Sequence, residues 1–288
     1  MAFVASIIIP AHNEEHVIAE SLAPLLSGVD SQCLEVIVVC NGCNDKTAEI
    51  VRKASKKIIC LETAVPSKTN ALNMGDSVAS GYPRFYLDAD VLLPLRSIVE
   101  ISNSLIENKW LAASPVMKMS YGGASWVVRS YYEVWQKLPY VKEGMIGTGV
   151  YALSREGRSR FGQFPDILAD DGYIRALFNE NERVSVKESC SIVRAPLTLN
   201  GLLSIKTRSR LGGYELAQKF PELMGNEKKE YKSALCKLFP HISLWPKMIV
   251  YLYVNLLARF LAKRRFETYG YSGWQRDDSS RKKIPYNN

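Results

Sequence analysis

Two kinds of pattern alternate through the first ninety residues, and that alternation leaves few folds open. "SIIIP", "LEVIVV", "KKIICL" and "RFYLD" are short runs of β-branched, apolar and aromatic residues. Between them, "EEHVIAESLAPLLSG", "DKTAEIVRKAS" and "SKTNALNMGDSVASG" repeat apolar residues at helical spacing, with Ser or Asp near their starts and Gly after two of them. The order β-α-β-α-β-α-β predicts an α/β fold, a mostly parallel sheet flanked by helices. In such sheets ligands gather beyond the carboxyl ends of the strands. "PAHNE", "CNGCND" and the acids of "RFYLDADVLLP" all fall at such ends.

Beyond residue 95 the alternation loosens. "LRSIVEISNSLIENK" reads as a helix, "WLAASPV" as a strand and "SWVVRSYYEVWQKL" as an amphipathic aromatic helix. "GMIGTGVYALSREG" is a glycine stretch leading into a strand, and "LADDGYIRALF" opens a helix with two acids at its start. From Leu202 onward the reading is mostly helical. No repeat or low-complexity linker is visible, and we expect a catalytic-type domain over 1–200 followed by a basic helical region over 201–288.

Charge supports that division. The chain of 288 residues carries a formal net charge of +8, and residues 201–288 hold 17 Lys and Arg against 7 Asp and Glu. Such a region suits anionic lipid, a phosphorylated substrate or nucleic acid; we expect no nucleic acid. Met248–Ala258 is an uncharged run of 11 residues, well short of the roughly 20 a spanning helix needs. It is apolar nearly all round, so it is either buried or lies on a membrane surface with Lys263, Arg264 and Arg265 at phosphates. Six scattered cysteines form no disulfide framework, and "MAFVASIIIPAHNEE" lacks the basic start and cleavage site of a leader. A cytoplasmic protein is expected, with the cytoplasmic membrane face as the alternative.

Asp is among the poorest strand formers, and two carboxylates one residue apart repel unless something neutralises them. Asp88-Ala89-Asp90, directly after a buried-looking strand, therefore suggests a cation site. Hard oxygen donors select Mg²⁺ or Mn²⁺, with water and substrate phosphates completing the shell. His12 and His16 are four apart, but Asn13 stands where a zinc protease motif needs Glu. His12, Asn13 and Glu14 are read instead as capping the first helix, with Glu14 able to touch a ligand. Cys40 and Cys43 make a lone C-x-x-C in a polar turn, without a second pair for a metal. Lys68 and Asn70 open the third helix, where an ammonium can reach a phosphate or cover the helix start. Trp126, Tyr131, Tyr132 and Trp135 form a stripe that fits either a core or a sugar-stacking surface, and Trp274 is equally ambiguous.

Taken together, "SIIIPAHNEE", "IVVCNGCNDKT", "SKTNALNMG" and "FYLDAD" resemble the family 2 inverting glycosyltransferases of GT-A fold, strongly over residues 5–95 and more weakly, through "GTGVYALSREG" and "ADD", to about 178. The resemblance implies a hexosyltransferase-like enzyme using a nucleoside-diphosphate sugar, UDP favoured and GDP the alternative, with Mn²⁺ or Mg²⁺. The acceptor would be a sugar or a lipid-linked molecule of polysaccharide or glycolipid synthesis. It implies that Pro10, His12 and Glu14 line the nucleotide pocket, that Asn41 and Asp45 face the base, and that Lys68 lies near base or ribose. Asp88 would approach ribose or metal-bound water and Asp90 the metal, across Ala89. Asp171 would be the general base, with Asp170 where a Glu is usual, and Arg208 and Arg210 a basic lid over the diphosphate. The chain departs from the family at Cys40-Asn41-Gly42, where Asp-Asp-Gly is common, and it has no Q-x-x-R-W of processive synthases. A sugar-phosphate nucleotidyltransferase would want a glycine-rich loop after the first strand, which "PAHNEEH" lacks. A non-catalytic nucleotide-binding protein would have no need of the paired acids.

Overall fold

The computed structural model describes residues 5–31, 33–138, 141, 145, 148–226 and 242–271. Seven strands form one sheet in the order β3-β2-β1-β4-β6-β5-β7. They are β1 (Ala5–Ala11), β2 (Leu34–Asn41), β3 (Ile59–Thr63), β4 (Arg84–Leu87), β5 (Ala112–Ser120), β6 (Val150–Leu153) and β7 (Arg183–Arg194). The helices are α1 (Ile18–Leu22), α2 (Leu26–Asp30), α3 (Thr47–Ala54), α4 (Lys68–Val78), α5 (Leu95–Glu107), α6 (Trp126–Trp135), α7 (Arg155–Arg158), α8 (Asp170–Leu177), α9 (Leu199–Lys219) and α10 (Trp245–Tyr269).

β3, β2, β1 and β4 run parallel, and β6 pairs antiparallel with both β4 and β5. Every residue of β1 and β2 is buried, which is what continuous Val and Ile runs achieve when both sheet faces are covered. The stretch read as one helix from Glu14 is broken: α1 gives way to a 3-10 turn, Ala23–Leu25, before α2. Pro24 has no N–H to donate to residue 20, so a regular helix cannot run through it.

The chain packs as two compact units. The first takes in 1–118, 147–166 and 180–193, and the second 119–146, 167–179 and 194–288. The region 201–288 thus lies within the second unit, together with α6 and α8.

In the first unit a buried charge network ties α4 to the sheet. Asp76, its side chain 5% exposed, accepts from Arg84 at 2.5 Å and from Tyr86 Oη at 2.9 Å, and pairs with Arg158. We expect Asp76→Ala to lower stability by about 3–5 kcal/mol, because two guanidinium groups lose their buried counter-charge. Urea unfolding checks this: the midpoint should fall with the slope unchanged. In the second unit, Tyr131 of α6 stacks on Tyr251 of α10 with centroids 5.1 Å apart, and Arg210 of α9 donates to Asn255 of α10 at 3.1 Å.

Candidate active site

The register Ala11↔Cys40 and Asn41↔Thr63 brings the carboxyl ends of β1, β2 and β3 side by side. The tips are then stitched together by polar contacts. His12 Nδ1 lies 2.5 Å from the Asn41 carbonyl oxygen. That oxygen can only accept, so Nδ1 carries the proton and Nε2 faces Asn13 Nδ2 at 3.4 Å. Asn44 N–H donates to Asn13 Oδ1 at 2.8 Å, and Glu14 N–H donates to Thr47 Oγ1 at 2.7 Å. His12, Asn13 and Glu14 therefore do not cap the first helix with their side chains, as the sequence suggested. Val17 stands at that cap without a side-chain bond, and the carbonyl of Glu14 receives the N–H groups of Val17 and Ile18.

A groove of about 690 Å³ opens at this edge, lined by His12, Cys40, Gly42, Cys43, Asn44, Glu62, Thr63, Ala64 and Pro66. Gly42 has φ +58°, and a Cβ there would meet Pro66 Cβ at 2.9 Å, so only glycine allows the turn and the close approach. Of the residues expected around the nucleotide, His12 lines this groove. Pro10 is buried in β1, and Asn41 is buried with its Nδ2 on the Ala11 carbonyl at 2.9 Å. Asn41 Oδ1 has no hydrogen-bond partner among the described residues. Asp45 accepts from the Thr47 hydroxyl at 2.6 Å, from Thr47 N–H at 2.9 Å and from Glu15 N–H at 3.1 Å. Burial pushes its carboxyl up, and these donations outweigh it and hold Asp45 below its ordinary value.

Cys40 and Cys43 line the groove, and Cys60 of β3 lies beside Cys40. Hydrogen bonding from Cys40 draws Cys43 and Cys60 down to about 7 against their burial, and the same bonds, with desolvation, keep Cys40 protonated. The C-x-x-C of the second tip is visible in the sequence, whereas the contribution of β3, namely Glu62, Thr63 and the Pro66 turn, emerges only from the structure. The signal for it in the sequence is the end of the third parallel strand in the alternation.

Asp88, Ala89 and Asp90 leave the carboxyl end of β4 in a turn where Ala89 is buried and both acids are partly so. Lys68, first residue of α4, places its ammonium 2.7 Å from Asp88 Oδ1. Ser67 caps α4 by accepting from Asn70 N–H at 3.2 Å, and Asn73 grips both backbone groups of Phe164 at 2.7 and 3.0 Å. The glycine stretch supports the acidic turn from behind. Asp88 N–H donates to Gly149 O at 2.8 Å, and at φ +65° a Cβ on Gly149 would stand 2.4 Å from Val91 Cγ2. No cluster of three or more His, Cys, Asp or Glu side chains able to hold a metal exists among the described residues. The hard donors at this turn are the two carboxylates of Asp88 and Asp90, Asp88 being paired with Lys68. This fits a Mg²⁺ or Mn²⁺ ion whose remaining ligands are water and phosphate oxygens.

In the second unit Asp170 and Asp171 form the first turn of α8, Asp170 buried and Asp171 exposed. Asp171 Oδ1 accepts from Gly172 N–H at 2.8 Å. Glu215 of α9 anchors the preceding loop through Leu168 N–H at 2.8 Å, and Gly212 allows α9 to approach Ala169, where a Cβ would lie 2.7 Å from the alanine Cβ. Arg208 is exposed and Arg210 partly buried, both in mid-α9. Tyr131, Tyr132 and Trp135 are buried and surround the Lys206 ammonium at 5.1, 5.2 and 4.4 Å, so most of the aromatic stripe is core, whereas Trp126 is exposed. Trp274 lies outside the described residues.

Residues 6–145 match the sequence profile described as Glycosyl transferase family 2. A probable glycosyltransferase, YdaM of Bacillus subtilis, is 33% identical over 93 residues, a match spanning 30% of this chain and only 22% of that protein. Among solved structures, the mannosyltransferase PcManGT of Pyrobaculum calidifontis, crystallised with GDP-Man and Mn²⁺, superposes with a TM-score of 0.60 at 21% identity, covering 96% of this chain and 77% of its own. Glucosyl-3-phosphoglycerate synthase of Mycobacterium tuberculosis, with Mn²⁺, UDP-glucose and phosphoglyceric acid, gives 0.54 at 18% identity over 74% of this chain and 78% of its own. These likenesses establish the GT-A-type α/β fold.

Proposed function

The chain carries a glycosyl transferase family 2 domain in residues 6–145, and from that premise we propose that it moves a sugar from a nucleoside-diphosphate sugar to an acceptor hydroxyl with inversion at the anomeric carbon. The observation that carries this reading is the Lys68-braced Asp88-Ala89-Asp90 turn, on the same sheet edge as the groove lined by His12.

In this reading the groove takes the nucleoside, with Pro10, Glu14, Asn41 and Asp45 holding its walls and His12 at its lining. UDP is the favoured nucleotide and GDP the alternative, in keeping with the two solved complexes. Lys68 neutralises Asp88 near the ribose. Asp90, with Asp88, would hold a Mn²⁺ or Mg²⁺, whose charge stabilises the leaving diphosphate. Arg208 and Arg210 are the proposed cationic partners of that diphosphate, and because Arg210 is engaged with Asn255, Arg208 is the more available. The acceptor oxygen forms its bond to the anomeric carbon as the bond to the diphosphate oxygen breaks, and Asp171 takes the hydroxyl proton. Asp170, behind it in the same turn, is the proposed positioning residue. We place the reaction in the cytoplasm and the acceptor among sugars or lipid-linked molecules of envelope polysaccharide or glycolipid synthesis.

A thermal-shift panel tests the binding half of this reading. UDP or GDP with Mn²⁺, at about a hundred times its dissociation constant, should raise Tm by about 5 °C, and a monophosphate or the metal alone by much less. Proton NMR of a product made from an α-linked donor should show the β-anomer. Absence of stabilisation by every nucleoside diphosphate tried with metal would remove the proposal.

A further inference from the structure

The final helix is apolar on two sides, one of them buried and the other exposed among the described residues. Met248, Tyr251, Val254, Ala258 and Ala262 recur at three- and four-residue steps and are buried. The other side repeats the period with larger residues: Trp245, Ile249, Leu252, Tyr253, Leu256 and Phe260 all face solvent, Leu256 at 65% and Phe260 at 61% exposure. Single exposed apolar residues need no explanation, but a continuous stripe of six along four turns does.

The same face continues into charge. A three-residue step from Leu256 brings up Arg259, and three- and four-residue steps from Phe260 bring up Lys263 and Arg264, all exposed. The only acid on the helix is Glu267, 3.9 Å from Lys263. A helix with an apolar stripe, aromatic residues at its edge and cations at one end matches a bilayer interface, where the apolar groups enter the acyl boundary and the cations meet phosphates. No helix among the described residues is long and apolar enough to cross a membrane, so the geometry is that of a helix lying in the interface plane.

We infer that the outer face of α10 docks the protein on an anionic lipid surface. The inference is independent of the transfer reaction. Its test is co-sedimentation of the full chain with vesicles of phosphatidylcholine alone or with about 30% phosphatidylglycerol, at low and high salt. The expected result is binding to the anionic vesicles that weakens with salt, and little binding to the neutral ones. Leu256→Glu with Phe260→Glu should reduce the affinity about a hundredfold or more through the lost apolar burial. Arg259→Gln, Lys263→Gln and Arg264→Gln together should reduce it about a hundredfold, at roughly tenfold or less per charge. All five side chains are exposed, so the circular dichroism and Tm should be unchanged. Absence of binding to both vesicles, equal binding to both, or a dimer in light scattering that Leu256→Glu dissociates while vesicle binding is nil would each overturn the inference.

Discussion

Asp90→Asn should lower kcat by about a thousandfold, equivalent to about 4 kcal/mol of transition-state stabilisation, while leaving the fold intact. The size follows from the donor set. Asp88 is ion-paired to Lys68 at 2.7 Å, and in the proposed reading Asp90 is the carboxylate that would anchor the divalent cation. An amide is isosteric but carries no charge, so a cation at the diphosphate loses its anchor. Stability should barely change, because the side chain closes a partly exposed turn and not a core position. The measurement is donor turnover against Mn²⁺ concentration, alongside calorimetric titration of UDP with and without the metal. The variant should lose the metal dependence of nucleotide binding as well as rate. Wild-type turnover in Asp90→Asn would transfer the role elsewhere. The neighbouring Asp88→Asn gives a contrast: its partly exposed pair with Lys68 is worth about 1 kcal/mol of stability or less, and it should disturb binding more than folding.

The second large effect is expected at Asp171. If its carboxylate takes the acceptor proton, Asp171→Asn should lower kcat by about 10²–10⁴ with the donor KM unchanged, since the loss falls in the transition state alone. Asp171 is exposed at the start of α8 and, among the described residues, its carboxylate bonds to Gly172 N–H. The amide oxygen can keep that bond, so the helix should survive. Nucleotide binding, measured by the same titration, should be indistinguishable from wild type, which separates this variant from Asp90→Asn. A variant that transfers sugar at the normal rate would remove Asp171 from the mechanism, leaving the metal and nucleotide assignments standing.

The parallel half of the sheet was legible because its strands are buried on both faces and are written as uninterrupted apolar runs. β7 was not. Ser189 and Ser191 take inward positions in "RVSVKESCSIVR", where they are buried and donate to Val186 O at 2.9 Å and Thr148 O at 2.7 Å. Hydroxyls satisfied by the backbone serve as core residues there and erase the hydrophobic period. The last helix shows the reverse case, an apolar signal on two faces that sequence could offer only as buried or surface-bound, and the structure buries one face and leaves the other exposed.

What the chain's letters determined by themselves was the alternation, hence a parallel sheet whose strand ends carry polar tips, and the Asp-x-Asp turn after the fourth strand. Local pattern suffices for that, because strand and helix periods are set within a few residues. Tertiary structure alone decided what each tip does. His12, Asn13 and Glu14 read locally as a helix cap, yet the register that sets Ala11 beside Cys40 turns them onto the β2 tip. Lys68 meets Asp88 only because α4 crosses back over the sheet, and β3 supplies a wall to the groove only because Thr63 pairs with Asn41. Partnerships between residues distant in sequence are fixed by strand order and register, which short-range periodicity does not encode.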